Sequence, residues 1–174
     1  MAKKIDEWLV VDGYNVIGTT TNLKWTSGNL EQARTTLIQD LSEYQAITGR
    51  RVILVFDAHN TPGGQMTEIR EKVEVIYTQK EETADEYIEQ FVRRNKNPHR
   101  NIFVATSDFL EQRMVFGQGA YRISSRELVQ DIHTAKQRLS QKLDKKEQVS
   151  PKNTLGDLLS IDLKKKFEKW RRKK

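Results

Sequence analysis

The sequence contains no cysteine. That absence excludes disulfides, thiol nucleophiles and cysteine-ligated zinc, and it agrees with a reducing, cytoplasmic setting. Long apolar runs are missing too. The longest, such as residues 52–56, fall far short of the roughly 18 residues that span a bilayer. Asp6 and Glu7 follow Lys3 and Lys4 at once with no apolar stretch behind them, so a secretory leader is not expected. There is no GxxxxGK segment and no GxGxxG after a strand, which removes the two commonest glycine-rich phosphate cradles. Gly117, Gln118 and Gly119 lead into a strand rather than a helix and read as a turn. No nucleophile elbow occurs.

What remains is a chain of 174 residues with 36% hydrophobic and 31% charged side chains, sized for one soluble domain with a sizeable core. Its net charge of +6 is unevenly spread. Residues 133–174 carry 14 basic and 5 acidic side chains, while residues 1–132 carry 16 basic and 19 acidic, so a body of net −3 adjoins a quarter of net +9. Segregated positive charge of this kind attracts a polyanion. Nucleic acid is the commonest such partner. An anionic membrane surface is a second, and a merely solvated basic end is a third.

The hydrophobic pattern alternates between strand and helix. Residues 7–12, 51–56, 73–77, 102–105 and 121–123 read as strands, and the second is apolar enough to be buried on both faces. Leu30, Ala33, Leu37, Leu41 and Tyr44 recur at helical spacing over 29–47. Residues 14–28 and 58–71 read as loops. Thr83 with Glu86 forms a capping box for a helix that runs to about Asn95, with Ala84, Tyr87, Ile88 and Phe91 inward. A short helix is expected over 109–116. Ser124 or Ser125 caps a long helix over 124–146, with Leu128, Ile132, Ala135, Leu139 and Leu143 on one face. Residues 149–174 are a linker followed by a basic amphipathic helix, with Leu159, Leu163, Phe167 and Trp170 on its apolar stripe, expected to pack on the same domain, residues 1–148. Strands alternating with helices predict an α/β fold: a three-layer α/β/α sandwich around a mainly parallel, five-stranded sheet.

The chemistry lies in where the acids fall. Asp12 ends the first strand, Asp57 ends the second, and Asp108 follows the fourth by three residues. Asp85 sits in the first turn of the helix after the third. In an open parallel sheet the carboxyl ends of the strands share one rim, where ligands bind. Clustered carboxylates repel unless a cation is shared, and a hard divalent ion such as Mg²⁺ suits oxygen donors. Such an ion can activate water and steady a phosphoryl oxygen. Each acid also has a plainer reading: Asp85 as a favourable charge at a helix N-terminus, Asp57 as an Asx-turn residue. Asn15 is placed to orient a water or phosphate. Thr106 and Ser107 offer hydroxyl donors or simply cap the next helix. His59, close behind Asp57, is a further candidate base or ligand. His99 and His133 read as surface residues.

Residues 10–18, Val-Val-Asp-Gly-Tyr-Asn-Val-Ile-Gly, resemble the start of the YacP-like NYN nucleases, a branch of the PIN-like superfamily. The likeness continues in order through Val-Phe-Asp-Ala-His at 55–59, Glu-Thr-Ala-Asp-Glu at 82–86, Ala-Thr-Ser-Asp at 105–108, Phe-Gly-Gln-Gly-Ala at 116–120 and Phe-Glu-Lys-Trp-Arg-Arg at 167–172. The resemblance implies a PIN-like α/β/α fold and an endoribonuclease dependent on Mg²⁺ or Mn²⁺. By position it implies Asp12, Asp85 and Asp108 as metal-binding and catalytic acids with Asn15 beside them, and Asp57 either on the metal or shaping the pocket. It also implies association with the ribosome and translation-coupled mRNA decay.

The leading expectation is therefore hydrolysis of mRNA at the ribosome. Alternatives are a non-cleaving RNA- or ribosome-binding module of the same fold and a small-molecule phosphohydrolase. The basic end, with Lys164, Lys165, Lys166, Lys169, Arg171 and Arg172, speaks against the last, since a small substrate needs no such patch. It is the expected RNA or ribosome anchor. The net-negative body and the lack of an evident aromatic platform near the acids predict poor action on free RNA.

Overall fold

A computed structural model of the chain describes residues 5–20, 27–58, 66–107 and 119–149. The chain divides into two compact units, residues 1–137 and 138–174. The first holds every strand of the described residues. Its elements run β1 (Asp6–Asp12), α1 (Gly13–Thr20), α2 (Ser27–Thr48), β2 (Arg51–Phe56), β3 (Met66–Arg70), β4 (Val73–Tyr77), α3 (Ala84–Asn95), β5 (Arg100–Ala105), β6 (Tyr121–Ile123) and α4 (Ser125–Val149), the last helix continuing past the first unit. Among the described residues no helix is long and apolar enough to cross a membrane.

The strands form one six-stranded sheet in the order β3-β4-β2-β1-β5-β6. All neighbours are parallel except β3 and β4. Side chains alternate between two cores, as the period of a strand requires. Leu9, Val11, Val52, Leu54, Phe56, Val75 and Ala105 face Val16, Leu37, Leu41, Leu128 and Ile132, from α1, α2 and α4. Trp8, Val10, Ile53, Val55, Ile76 and Val104 face Ala84, Ile88 and Val92 of α3. This is the expected three-layer sandwich.

Three expectations change. The sheet has six strands, not five, because the segment read as a loop over 58–71 holds β3. Its partner follows across a two-residue turn, Glu71–Lys72, with φ of 49° and 73°. Both residues are left-handed, as a tight hairpin demands, yet neither is the glycine or asparagine that announces one in sequence. Second, the stretch after Asp12 is helical from Gly13. An eight-residue helix with Val16 and Ile17 as its buried aliphatic side chains has too short a pattern to read. Third, the apolar stripe of α4 is buried only in its first part: Leu128 and Ile132 are buried while Leu139 and Leu143 are exposed. Periodicity shows which face is apolar, not how far along it a core extends. The helix expected over 109–116 and the linker and basic segment of 150–174 lie outside the described residues.

The start of the sheet is fastened by arginines. Arg51 and Arg100 place their guanidinium carbons 4.4 and 3.7 Å from the Trp8 ring centre, and Arg100 also pairs with Asp6. On the other face Lys136 of α4 bridges Asp40 and Glu43 of α2 at 2.6 and 2.7 Å.

Candidate functional site

The site is built at the carboxyl ends of β1, β2, β4 and β5. β1 must stop at Asp12 because Gly13 turns directly into α1. A Cβ on Gly13 would lie 2.2 Å from the Phe56 ring, so only glycine lets the helix start this close to β2. Asp12 is the N-cap of that helix: its Oδ1 accepts the Asn15 backbone N–H at 3.0 Å. The residue is nonetheless only 8% exposed. Burial, with the charges of Asp85 and Asp57 added, pushes its carboxyl group up from the ordinary 3.8 to about 6, while the N–H groups of Asn15 and Tyr14 hold it down. A capping role, the plainer reading of an acid at a strand end, thus belongs to Asp12, and it does not offset the cost of burying the charge.

Asp57 follows β2 and is half-buried. Asp85 stands exposed in the first turn of α3, whose capping box joins Thr83 to Glu86 as expected. Thr78, at the end of β4, ties the segments that carry these two acids. Its backbone N–H donates to the Phe56 carbonyl at 3.0 Å. Its hydroxyl accepts the Ala58 N–H at 3.1 Å and donates to the Glu82 carbonyl at 2.7 Å. Sequence reasoning did not single out Thr78; a buried threonine just past a strand carries no signature beyond its place.

Asn15 joins the opposite side of the rim. Its side-chain oxygen accepts the Ser107 backbone N–H at 3.0 Å and the Ser125 hydroxyl at 3.4 Å. Ser107, exposed, has its hydroxyl 3.4 Å from that of Thr19. Ser125 is fully buried at the first position of α4. Ser124 is the cap of that helix, closing a box with Glu127. The Asn15 side-chain oxygen is therefore engaged in holding the segment that leads to Asp108.

The structure brings Asp57 and Asp85 each into electrostatic reach of Asp12. Among the described residues no three acidic or imidazole side chains stand close enough together to hold a metal ion. Asp108, His59 and the basic residues Lys164, Lys165, Lys166, Lys169, Arg171 and Arg172 lie outside the described residues. The donor chemistry at the rim is all oxygen, with one buried carboxylate whose charge lacks compensation, and this fits a hard divalent cation rather than a soft one.

Known proteins bear on this arrangement. The chain is 46% identical to the uncharacterized protein YacP of Bacillus subtilis strain 168 over 165 residues, 94% of this chain and 96% of that one. It is similar to the crystal structure of Rae1 (YacP) from Bacillus subtilis, with a TM-score of 0.70 at 44% identity, covering 95% of each chain. A mutant crystal structure of the same protein gives 0.72 over 83% of this chain and 86% of that one. The model of the YacP-like NYN domain matches residues 9–172, almost the whole chain, and so the chain belongs to the YacP-like NYN domain family.

Proposed function

We propose that this protein is a metal-dependent endoribonuclease that cleaves mRNA in association with the translating ribosome. The nuclease part of the reading draws on family membership. The observation that carries it here is Asp12: a buried carboxylate pushed up to about 6 by desolvation and by the charges of Asp85 and Asp57. Such a group gives up its proton to solvent when a cation is brought beside it and then ligates as the carboxylate. Asp12, Asp85 and Asp108 would hold Mg²⁺ or Mn²⁺, with Asp57 shaping the pocket. When bound, the ion supplies charge neutralisation for the phosphodiester and lowers the pKa of the attacking water. The chain's own part is placement. The α1 cap fixes Asp12, Asn15 anchors the segment entering Asp108, and Thr78 anchors those bearing Asp57 and Asp85.

A non-cleaving RNA- or ribosome-binding module is the alternative. The observation favouring it is that no three metal-binding side chains converge among the described residues. Cleavage of one mRNA, naked and in a stalled ribosome complex, with Mg²⁺ and with EDTA, separates the readings. The nuclease reading expects cutting of the ribosome-bound message that EDTA abolishes. Binding without cutting leaves the module, and cutting that persists in EDTA rejects the metal.

A further inference from the structure

Tyr121 is out of keeping with its surroundings. It lies in β6, the last strand of the sheet, yet is 52% exposed, while its neighbour Phe103 in β5 is half-buried against the core. The two residues are register partners. Their rings stack with centres 5.1 Å apart and planes 27° from parallel. The far end of the stack is closed by Arg50, whose guanidinium carbon sits 4.7 Å from the Phe103 ring centre. Arg50 is itself held by Glu7 and by the Tyr44 hydroxyl, at 2.8 and 2.9 Å. The tyrosine is thus a fixed plate backed by an ordered aromatic, not a loose surface side chain.

Several of the charges around it are basic, beside the acidic Glu127. Arg122 is next in the strand and so turns to the α3 face with its register partner Val104, Arg126 follows in the first turn of α4, and both are exposed. A side chain at Gly119, in the turn leading into β6, would meet the Lys96 ammonium at 3.4 Å, so that cation lies against the same turn. Among the described residues none of Lys96, Arg122 and Arg126 is in an ion pair. Arg122 instead acts at a distance on Glu127, which is engaged in capping α4.

Strand register places the plate relative to the rim. Ile123, two residues beyond Tyr121, pairs with Ala105. Two residues past Ala105 comes Ser107, bonded to Asn15. Tyr121 is therefore about 7 Å down the strand from the level of Ala105, with β5 between its strand and the one that carries Asp12.

We propose that Tyr121 is a base-stacking platform for single-stranded RNA, with Arg126, and across the open edge of β6 Arg122 and Lys96 on the α3 face, taking phosphates of a strand that wraps that edge. An aromatic plate with unpaired cations beside it is how proteins hold single strands without reading their sequence. The proposal rests on the nuclease reading only for what the strand is then used for. It gives the net-negative residues 1–132 an RNA contact of their own.

The test uses the full-length protein in EDTA with short single-stranded RNAs carrying 2-aminopurine at each position in turn, read by fluorescence quenching and by anisotropy. Wild type and Tyr121→Phe should bind alike and quench the probe at one position. Tyr121→Leu, which still covers Phe103, should bind about ten-fold more weakly and lose that quenching. Arg122→Gln and Arg126→Gln leave the ring stack intact and should each lower the salt slope of binding by about 0.7. Retained quenching in Tyr121→Leu overturns the platform whatever the affinity, as does a wild type that binds no RNA. Unchanged salt slopes in the arginine variants overturn the phosphate contacts. If the quenching pattern holds but Mg²⁺ brings no cleavage on the ribosome, the nuclease reading fails while the platform stands.

Discussion

The side-chain oxygen of Asn15 accepts the backbone N–H of Ser107 at 3.0 Å, across 92 positions of sequence. That bond ties the first turn of α1, which carries the Asp12 cap, to the residue just before Asp108. The Ser125 hydroxyl reaches the same oxygen at 3.4 Å, so one amide joins α1, the exit of β5 and the start of α4.

Asn15→Ala should leave the Ser107 N–H and the Ser125 hydroxyl without their acceptor. The expected loss of stability is about 1–3 kcal/mol, read as a lower urea midpoint, together with a fall in RNA cleavage. Asn15→Asp keeps an acceptor and should recover much of the stability. Its added charge beside Asp12 should still impair cleavage. Full activity in Asn15→Ala would remove Asn15 from the site.

Asp12 links stability to pH in the metal-free protein. Its folded pKa is raised, from 3.8 to about 6. The stability it contributes is therefore fully present below pH 3.8 and lost as pH rises through about 6. The loss amounts to roughly 3 kcal/mol for this group. Asp12→Asn keeps a capping side chain and removes the charge. In EDTA it should be more stable than wild type at pH 7, with a smaller difference at pH 4, while its cleavage activity is abolished. Equal urea midpoints for the two proteins at both pH values would contradict this.

Gly13→Ala should be far more damaging than an ordinary glycine-to-alanine change near a helix start. The new methyl group would overlap the Phe56 ring at 2.2 Å, and overpacking of this kind costs about 1–3 kcal/mol. The double variant Gly13→Ala/Phe56→Leu should regain part of that cost. Additive losses in a double-mutant cycle would show that the clash is relieved some other way.

Charge neutralisation of Lys164, Lys165, Lys169, Arg171 and Arg172 to glutamine should weaken binding to RNA or ribosomes. For every phosphate of a single strand that is no longer neutralised, the log–log salt dependence should flatten by about 0.7. An unchanged slope would make this segment a solvated face only.

Much of the fold was legible because its signals are local and strong. The unbroken apolar run of β2 marked a strand buried on both faces, and the Thr83–Glu86 box marked the start of α3. Asp12, Asp57 and Asp85 were readable as one rim because parallel strands bring their carboxyl ends together. What escaped was set by long-range geometry. The Glu71–Lys72 turn carries no hairpin signature, yet strand pairing holds both residues at positive φ. The committed oxygen of Asn15, the tie made by Thr78 and the exposed plate of Tyr121 depend on partners 20 to 110 positions away or on which side chains a neighbouring strand happens to leave open. Composition and spacing do not encode those.

β1 lies between β2 and β5, and its register joins Asp6 to Arg100. In a chain made from its N-terminus, the middle of the sheet is thus synthesised first and gains its second neighbour last. At about 5–20 residues per second, the strand carrying Asp12 waits about 5–20 s before β5 can pair with it. Asp85 comes 15 residues before β5 and Ser107 two residues after it. The rim is therefore incomplete until residue 107 has been made and β5 has paired with β1, and whatever activity it confers begins only after that.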